Sequence, residues 1–377
     1  MNILILSAST GGGHMRASKA IESYMIKQDK DINVKIVDSL LYISPILNKT
    51  ITSGYVYLAT KTPKLYGKLY DLSNKDRKFS NFVTRINNIF ANKLLPLIDD
   101  FKPDVIITTH PFPTEMVSRL KLKNEINIPL ICIMTDYAPH KAWLSEKVDA
   151  YIVANDDMVA KMVAQGVSEE HIYPYGIPVD EVFFEEEEKQ LVLEELNLDK
   201  NLPTILMMAG SFGVANVFDI YANIIDIDLD FQIILVTGKN KKLYNQFEEV
   251  VGNSPKNTKL IYFTNEINKF MQASDIIITK PGGLTVTEAL ACNIPMAIFD
   301  AIPGQEEENA EFLIKHNMAV RISDGNSCRE AIVRLLEDNG KLENMKEACK
   351  SFDKNDSSKN IFLLLNELIE NKRIINK

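Results

Sequence analysis

Residues Ser274–Asn309, SDIIITKPGGLTVTEALACNIPMAIFDAIPGQEEEN, hold the pattern from which the rest of the chain is read. The apolar run Ile276–Thr279 has the length of a buried strand, and Pro281-Gly282-Gly283 follows it at once. The spacing after the glycines predicts a helix from about Leu284. Glycine lets backbone N–H groups come close to a ligand, and a helix N-terminus carries about half a positive charge. Such a turn seats an anion. Thr285 and Glu288 stand three residues apart and share one face of the first turns. From there a hydroxyl reaches a phosphate while a carboxylate reaches a neighbouring diol, as on ribose. A second strand, Met296–Phe299, ends in Pro303-Gly304-Gln305-Glu306-Glu307-Glu308-Asn309, a loop rich in groups that bind sugar hydroxyls. A glycine-rich turn alone also fits an ordinary strand–turn–helix; two polar loops at consecutive strand ends favour a ligand.

The same alternation runs through the chain. Asn2–Leu6, Val34–Asp38, Val105–Thr109, Leu130–Thr135, Ala150–Val153 and Ile172–Tyr175 read as strands in the first half. Ile205–Met208, Gln232–Val236, Leu260–Phe263, Ile276–Thr279, Met296–Phe299 and Ala319–Ile322 read as strands in the second. Near-continuous apolar strands separated by helical patterns predict parallel sheets covered on both faces. Each series opens with a glycine loop after its first strand, Gly11-Gly12-Gly13 and then Gly210-Ser211-Phe212-Gly213. Two doubly wound α/β domains follow, with ligands at the carboxyl ends of the strands. Gly176-Ile177-Pro178-Val179-Asp180, followed by the acidic run Glu185–Glu188, marks the boundary between them.

Composition narrows the function classes. A hydrophobic content of 46% and a charged content of 25% over 377 residues suit a soluble globular protein of two domains. No apolar run reaches the roughly 20 residues of a membrane span. The start, Met1-Asn2-Ile3-Leu4-Ile5-Leu6, lacks the basic leader of a signal peptide. Cys132, Cys292, Cys328 and Cys349 lack C-x-x-C spacing and read as buried thiols in a reducing cytoplasm. A net charge of −9 argues against a nucleic-acid binder, yet Lys61–Lys93 carries eight basic residues against two acidic ones. Between Ser53 and Phe90 these basic residues interleave with Tyr55, Tyr57, Tyr66, Tyr70, Phe79, Phe82 and Phe90. Basic-aromatic stretches of this kind dock on anionic membrane surfaces, and Lys61, Lys64, Lys68 and Lys75 are the candidate contacts. A solvated helix face over an ordinary core is the plainer reading.

Ser9-Thr10-Gly11-Gly12-Gly13-His14 follows the first strand and precedes a helix expected from about Met15 to Gln28. It is not the dinucleotide fingerprint, since G-x-G-x-x-G is absent. Gly12 and Gly13 clear space and set His14 at a helix N-terminus, whose positive end keeps an imidazole neutral and able to accept a proton. A histidine capping its own helix is the alternative. Thr109-His110-Pro111-Phe112 and Thr135-Asp136-Tyr137-Ala138-Pro139-His140-Lys141-Ala142-Trp143 lie at further strand ends and converge on the same edge in a parallel sheet. His110, His140 and Trp143 read either as a pocket wall or as groups serving their own loops and core, with Asp136 orienting or charging a neighbour. Asp226-Ile227-Asp228-Leu229-Asp230 resembles a D-x-D metal motif. It precedes a strand, at the edge where ligands do not bind, and no metal cluster is expected. No G-x-S-x-G elbow is present.

SASTGGGH (Ser7–His14), TDYAPHKAW (Thr135–Trp143), YGIPV (Tyr175–Val179), MAGSFG (Met208–Gly213), KPGGLTVTEAL (Lys280–Leu290) and PGQEEEN (Pro303–Asn309) together resemble the GT-B glycosyltransferases. The resemblance is narrower still to bacterial processive diacylglycerol glucosyltransferases and plant monogalactosyldiacylglycerol synthases, relatives of the peptidoglycan N-acetylglucosaminyltransferase. It spans nearly the whole chain, with no matching motif over most of Tyr42–Ala91. It implies two Rossmann-like domains facing each other across a cleft. Residues 1–178 would form an acceptor domain, rejoined by a C-terminal helix at 353–377, and residues 179–352 a UDP-sugar donor domain.

By the same resemblance, Gly282, Gly283, Leu284 and Thr285 would cradle the diphosphate, with Ser211, Phe212 and Gly213 closing over it. Glu288 would take the ribose diol, the backbone near Ile267 the uracil, and Gln305, Glu306 and Asn309 the hexose. His14 would be the general base; Asp136 as its catalytic companion and Gly12, Gly13, His110, His140 and Trp143 on the acceptor side are read from their places at the strand ends. The implied reaction moves glucose or galactose, with inversion, from a UDP-sugar to the 3-hydroxyl of 1,2-diacylglycerol, once or repeatedly, and needs no metal cofactor. The implied place is cytoplasmic and peripheral, on the anionic inner face of the cell membrane. A lipid-linked N-acetylglucosaminyltransferase, a UDP-N-acetylglucosamine 2-epimerase of the same fold and a non-catalytic UDP-sugar sensor are the alternatives.

Overall fold

The computed structural model describes residues 1–9, 12–62, 64–68, 90–209, 215–299, 301–322 and 326–375. Ser211, Phe212 and Gly213, together with Lys75 and most of the basic segment, lie outside the described residues. Two compact units divide the chain: Met1–Glu181 with Pro303–Gln305 and Lys354–Lys377, and Val182–Ile302 with Glu306–Asp353.

The first unit runs β1 (Asn2–Ser7), α1 (Gly13–Gln28), β2 (Asn33–Asp38), α2 (Ser39–Ile43), α3 (Pro45–Lys61), α4 (Leu95–Phe101), β3 (Val105–Thr108), α5 (Pro111–Leu122), β4 (Leu130–Ile133), β5 (Ala150–Ile152), α6 (Asp157–Val163) and β6 (Ile172–Tyr173). After it come α7 (Lys189–Glu195), β7 (Thr204–Met208), α8 (Ala215–Ile225), β8 (Gln232–Val236), α9 (Lys241–Val251), β9 (Thr258–Ile261), α10 (Ile267–Gln272) and β10 (Ile276–Thr279). The chain continues through α11 (Gly283–Ala291), β11 (Met296–Ile298), α12 (Gln305–Lys315), β12 (Ala319–Arg321), α13 (Asn326–Glu337) and α14 (Asn339–Ser351). It then returns to the first unit as α15 (Ser357–Ile375).

Every strand expected from an apolar run is present, and each sheet is parallel throughout. Several runs overshoot their strands by a residue or two at the carboxyl end. Thr109, Thr135, Phe299 and Ile322 are buried beyond the point where the ladder stops, so burial alone did not mark the strand ends. The first sheet has the order β2-β1-β3-β4-β5-β6 and the second β12-β11-β10-β7-β8-β9. The winding direction therefore reverses between β1 and β3, and again between β7 and β10. Crevices for ligands open at such switch points, outside the carboxyl ends of the strands.

Each sheet is buried by helices whose apolar residues recur at helical spacing. In the first unit Ile3, Ile5, Ile107, Ile131 and Ile152 pack with Ile21 and Met25 of α1 and with Ile361, Leu364, Leu365 and Ile369 of α15. Each such side chain, once buried, contributes about 1.5–3 kcal/mol. Gly176 makes the return of α15 possible. Its φ is +94°, and a Cβ there would lie 2.7 Å from Lys354 Cβ, while its carbonyl accepts the Ser357 hydroxyl at 2.8 Å. In the second unit Ile205, Met207, Ile233, Leu235, Ile276 and Ile278 pack with Val217, Ile220, Tyr221 and Ile224 of α8 and Ile332 and Leu335 of α13. The acidic run before α7 is largely exposed, and Glu188 stands at the helix N-cap position.

Candidate active site

The β1/β3 switch point gathers the residues of the first glycine loop. Gly12, with φ +77°, turns the chain into α1, a left-handed backbone that a glycine adopts without strain. Asp38, at the end of β2, accepts the Ser9 amide at 3.1 Å and steadies the loop from its other side. Beneath it lies a chain of fully buried hydroxyls. Thr109 donates to Ser7 at 2.8 Å, Ser18 and Thr109 are 3.0 Å apart, and Ser18 donates to the His14 carbonyl at 3.0 Å. Those bonds set the height of His14 above the sheet.

The His14 ring stands half-buried. Its Nδ1 is 2.8 Å from Thr135 Oγ1. The His110 ring meets it edge-on at a centroid distance of 4.7 Å, and Trp143 lies at 6.1 Å. Burial pushes the His14 imidazole down to about 4, partly offset by a hydrogen bond with the Thr109 backbone. The shift has the direction expected from the sequence, and its first cause is the loss of water around the ring. His110 is also held well below its usual range, first by burial and then by the neighbouring His14.

His110 and His140 serve their own loops. His110 Nδ1 accepts the Phe112 amide at 3.1 Å and caps α5, and His140 Nδ1 accepts the Ala142 amide at 3.1 Å. Both are thereby fixed with Nδ1 as acceptor. The sequence carries a sign of the first of these, a polar residue directly before Pro111 at the first helical position. Asp136 is 6% exposed, and the group 2.8 Å from His14 Nδ1 is the Thr135 hydroxyl. Asp136 Oδ2 accepts Trp143 Nε1–H at 3.3 Å and its Oδ1 accepts Gln305 Nε2–H at 2.5 Å, within the first unit. Thr135, one residue earlier, is the group at the imidazole. Sequence reasoning passed over it because a threonine at a strand end carries no signature.

At the second switch point β10 passes into α11. Gly282 is the N-cap with φ −71° and ψ 134°, an ordinary extended backbone, so its use there is for space and not for conformation. The Val286 amide bonds to the Gly282 carbonyl at 2.9 Å. The amides of Gly283, Leu284 and Thr285 belong to the first turn, where helix geometry supplies no acceptor. They lie at the carboxyl edge beside β7, after which residues 210–214 lie outside the described residues. Thr285 is half-buried and Glu288, one turn on, is 3% exposed.

The expected sugar loop is partly committed to structure. Asn309 is fully buried and donates Nδ2–H to the Pro281 carbonyl at 3.0 Å, fastening α12 to the glycine turn. Glu306 Oε2 accepts the Ile302 amide at 2.8 Å, and a Cβ on Gly282 would lie 3.9 Å from Glu306 Oε1. Ile267 begins α10, its backbone at the carboxyl edge after β9. Among the described residues no group of three or more His, Cys, Asp or Glu could hold a metal ion. Asp226, Asp228 and Asp230 precede β8. Cys132, Cys328 and Cys349 are buried and Cys292 half-buried, all as free thiols pushed up by burial, to about 11 for Cys328 and about 12 for the others. None has the lowered pKa of a nucleophile.

Comparison with known proteins gives a consistent set of likenesses. The model of monogalactosyldiacylglycerol (MGDG) synthase matches residues 14–179, and that of the glycosyltransferase family 28 C-terminal domain matches residues 204–361. The processive diacylglycerol beta-glucosyltransferase of Staphylococcus carnosus is 33% identical over 356 residues, covering 92% of this chain and 87% of that protein. Its counterpart in Bacillus pumilus is 32% identical over 380 residues, covering 99% and 96%. Among solved structures, MurG of Acinetobacter baumannii matches with a TM-score of 0.64 at 12% identity, covering 97% of this chain and 99% of that one. That last likeness shows the fold, GT-B.

Proposed function

This chain belongs to the family of processive diacylglycerol β-glucosyltransferases, and from that membership we propose that it moves glucose from UDP-glucose to the 3-hydroxyl of 1,2-diacylglycerol, forming a β-glycoside. The observation that carries the reading is His14, whose ring meets Thr135 and His110 at the switch point of the first sheet and whose pKa is lowered by burial. Glucose is taken as the sugar from the names of the relatives; galactose, as in the name of the matching synthase model, is the competing donor.

The acceptor hydroxyl attacks the anomeric carbon from the face opposite the diphosphate. The new C–O bond forms as the bond to the phosphate oxygen breaks, and its electron pair leaves with UDP. His14 takes the hydroxyl proton. The first-turn amides of α11 and its positive end stabilise the departing diphosphate. Glu288 binds the ribose diol, the backbone at Ile267 the uracil, and the loop of Gln305, Glu306 and Asn309 lines the hexose. Ser211, Phe212 and Gly213 close over the phosphates. The deciding experiment follows donor consumption with diacylglycerol vesicles across UDP-glucose, UDP-galactose and UDP-N-acetylglucosamine, with product analysis. A β-glucosyl lipid from UDP-glucose is expected; consumption of UDP-N-acetylglucosamine alone, or no lipid product, overturns the reading.

Because a helix terminus supplies the positive potential, transfer is expected to survive excess EDTA. Loss of activity on chelation with recovery on Mg²⁺ or Mn²⁺ would revive the Asp226–Asp230 motif as a metal site.

An insoluble acceptor also requires contact with a bilayer. Among the described residues no helix is long and apolar enough to cross a membrane. The stretch from α2 onward instead leaves Leu41, Tyr42, Ile46, Tyr57 and Leu65 exposed, with Ile46 at 80%, beside exposed Lys49, Lys64 and Lys68. These apolar residues begin some twelve positions before the basic-aromatic segment read from the sequence and extend it. Apolar tips inserted in the headgroup layer and lysines attracted to anionic lipid together dock a protein reversibly. Replacing Lys61, Lys64, Lys68 and Lys75 by Glu is expected to lower co-sedimentation with anionic vesicles at least about tenfold, at about 1 kcal/mol per charge. UDP binding should be untouched. Wild-type sedimentation by the variant would reduce the segment to a solvated face.

A further inference from the structure

We infer that Thr135 is the residue that positions the His14 proton: its Oγ1 accepts Nδ1–H and so keeps the Nε2 lone pair for the acceptor hydroxyl. The inference rests on His14 as the base, as proposed above. A neutral imidazole carries one N–H, and the partner of one nitrogen decides what the other can do. Here Nδ1 is engaged at 2.8 Å by Thr135, with the Thr109 backbone as a further partner of the ring, and Nε2 is assigned to the substrate.

Thr135 is well placed for a fixed contact. It is 4% exposed and follows β4, and the preceding Met134 amide is tied to the Ile152 carbonyl at 2.9 Å. The backbone just before Thr135 is therefore tied to the sheet. The neighbouring side chains have contacts of their own. The Asp136 carboxylate receives Trp143 and Gln305. His110, the titratable group packed against the ring, spends Nδ1 on its own helix start.

The choice of a hydroxyl has a chemical consequence. A carboxylate at Nδ1 would stabilise the imidazolium and raise the pKa of the base. A threonine orients the ring without adding charge. When the acceptor O–H breaks and its proton joins Nε2, the Nδ1–H stays on Thr135, and nothing at that nitrogen needs to rearrange. Thr135 never touches the reacting atoms in this scheme and acts through His14.

The test combines ¹⁵N-histidine NMR with kinetics on the full chain. Wild type should show His14 with Nδ1 protonated and Nε2 bare. Thr135→Val should lose that preference and lower kcat about 10–100-fold with the KM for UDP-glucose unchanged, whereas Thr135→Ser should restore both. If Thr135→Val does not fold, as judged by thermal unfolding, Thr135→Ala and the wild-type tautomer decide. An Nε2–H tautomer in wild type, or full kcat in the Val or Ala variant, overturns the assignment. His14→Ala separates the two levels. If it is inactive while Thr135→Val is fully active, only Thr135 falls; if it is active, His14 itself is not the base, and the Thr135 inference falls with it.

Discussion

Replacing His14 with Ala is expected to cut kcat by about 10²–10⁴-fold, the usual worth of a general base, with donor affinity nearly unchanged. The split between kcat and affinity follows from where the residues lie. His14 opens α1 in the first unit, and the glycine turn proposed to hold the diphosphate opens α11 in the second. Near-normal turnover would leave His14 as a structural cap. The pH dependence gives a second check. The folded ring has its pKa lowered from 6.5 to about 4, so between those values the unfolded chain binds more protons than the native one. Stability then rises with pH through this window and is lost as pH falls from about 6.5 towards 4. His14→Ala should flatten that fall in a denaturation series, leaving the share of His110, which is lowered in the same direction. The base should also stay competent in the free enzyme well below pH 6.5. An acidic limb of kcat/KM centred near 6.5 and missing from the variant would contradict the lowered pKa of the half-buried ring.

Glu288→Ala is expected to weaken UDP and UDP-glucose binding about 10–150-fold, which corresponds to about 1.5–3 kcal/mol. The argument is one of desolvation. The carboxylate is 3% exposed one turn behind the first-turn amides of α11. A ribose diol that enters beside it leaves water and must find an acceptor there. Removing the acceptor strands two hydroxyls and keeps the cost of their burial. Glu288→Gln preserves volume and one acceptor oxygen, so it should lose less than the alanine variant. Titration calorimetry with UDP reads both directly. Unchanged affinity in the alanine variant, with its unfolding midpoint near wild type, would take Glu288 out of the site.

The architecture was largely legible because parallel strands buried on both faces leave an unbroken apolar record. Ile276–Thr279 and Gln232–Val236 show this, with observed bounds equal to those read from sequence. The strand order was not legible. Nothing in the local pattern says that β1 lies between β2 and β3 or that β7 lies beside β10, and it is this order that brings His14 next to His110. Side-chain partners were harder still. Asp136 looked like the natural companion of His14, yet the structure turns it to Trp143 and Gln305 and gives the imidazole to Thr135. Asn309 reads as a sugar ligand by composition, and its Nδ2 bond to the Pro281 carbonyl leaves no trace in the sequence. In both cases the sequence shows the residue type but not the rotamer, which three-dimensional neighbours set. The basic segment at 69–89 lies outside the described residues.

The return of α15 to the first unit has a consequence for biosynthesis. Ile361, Leu364, Leu365 and Ile369 complete a core begun by Ile3 and Ile5, so the amino-terminal sheet leaves the ribosome long before the helix that covers it. Domains usually mature in the order of their synthesis. Here the unit translated first is finished last, after the second unit, whose elements run from Val182 to Asp353, has had time to fold. Until then the part of that core which α15 completes, beside Ile21 and Met25 of α1, stands open to chaperones, or to the membrane surface on which we propose that the finished protein works.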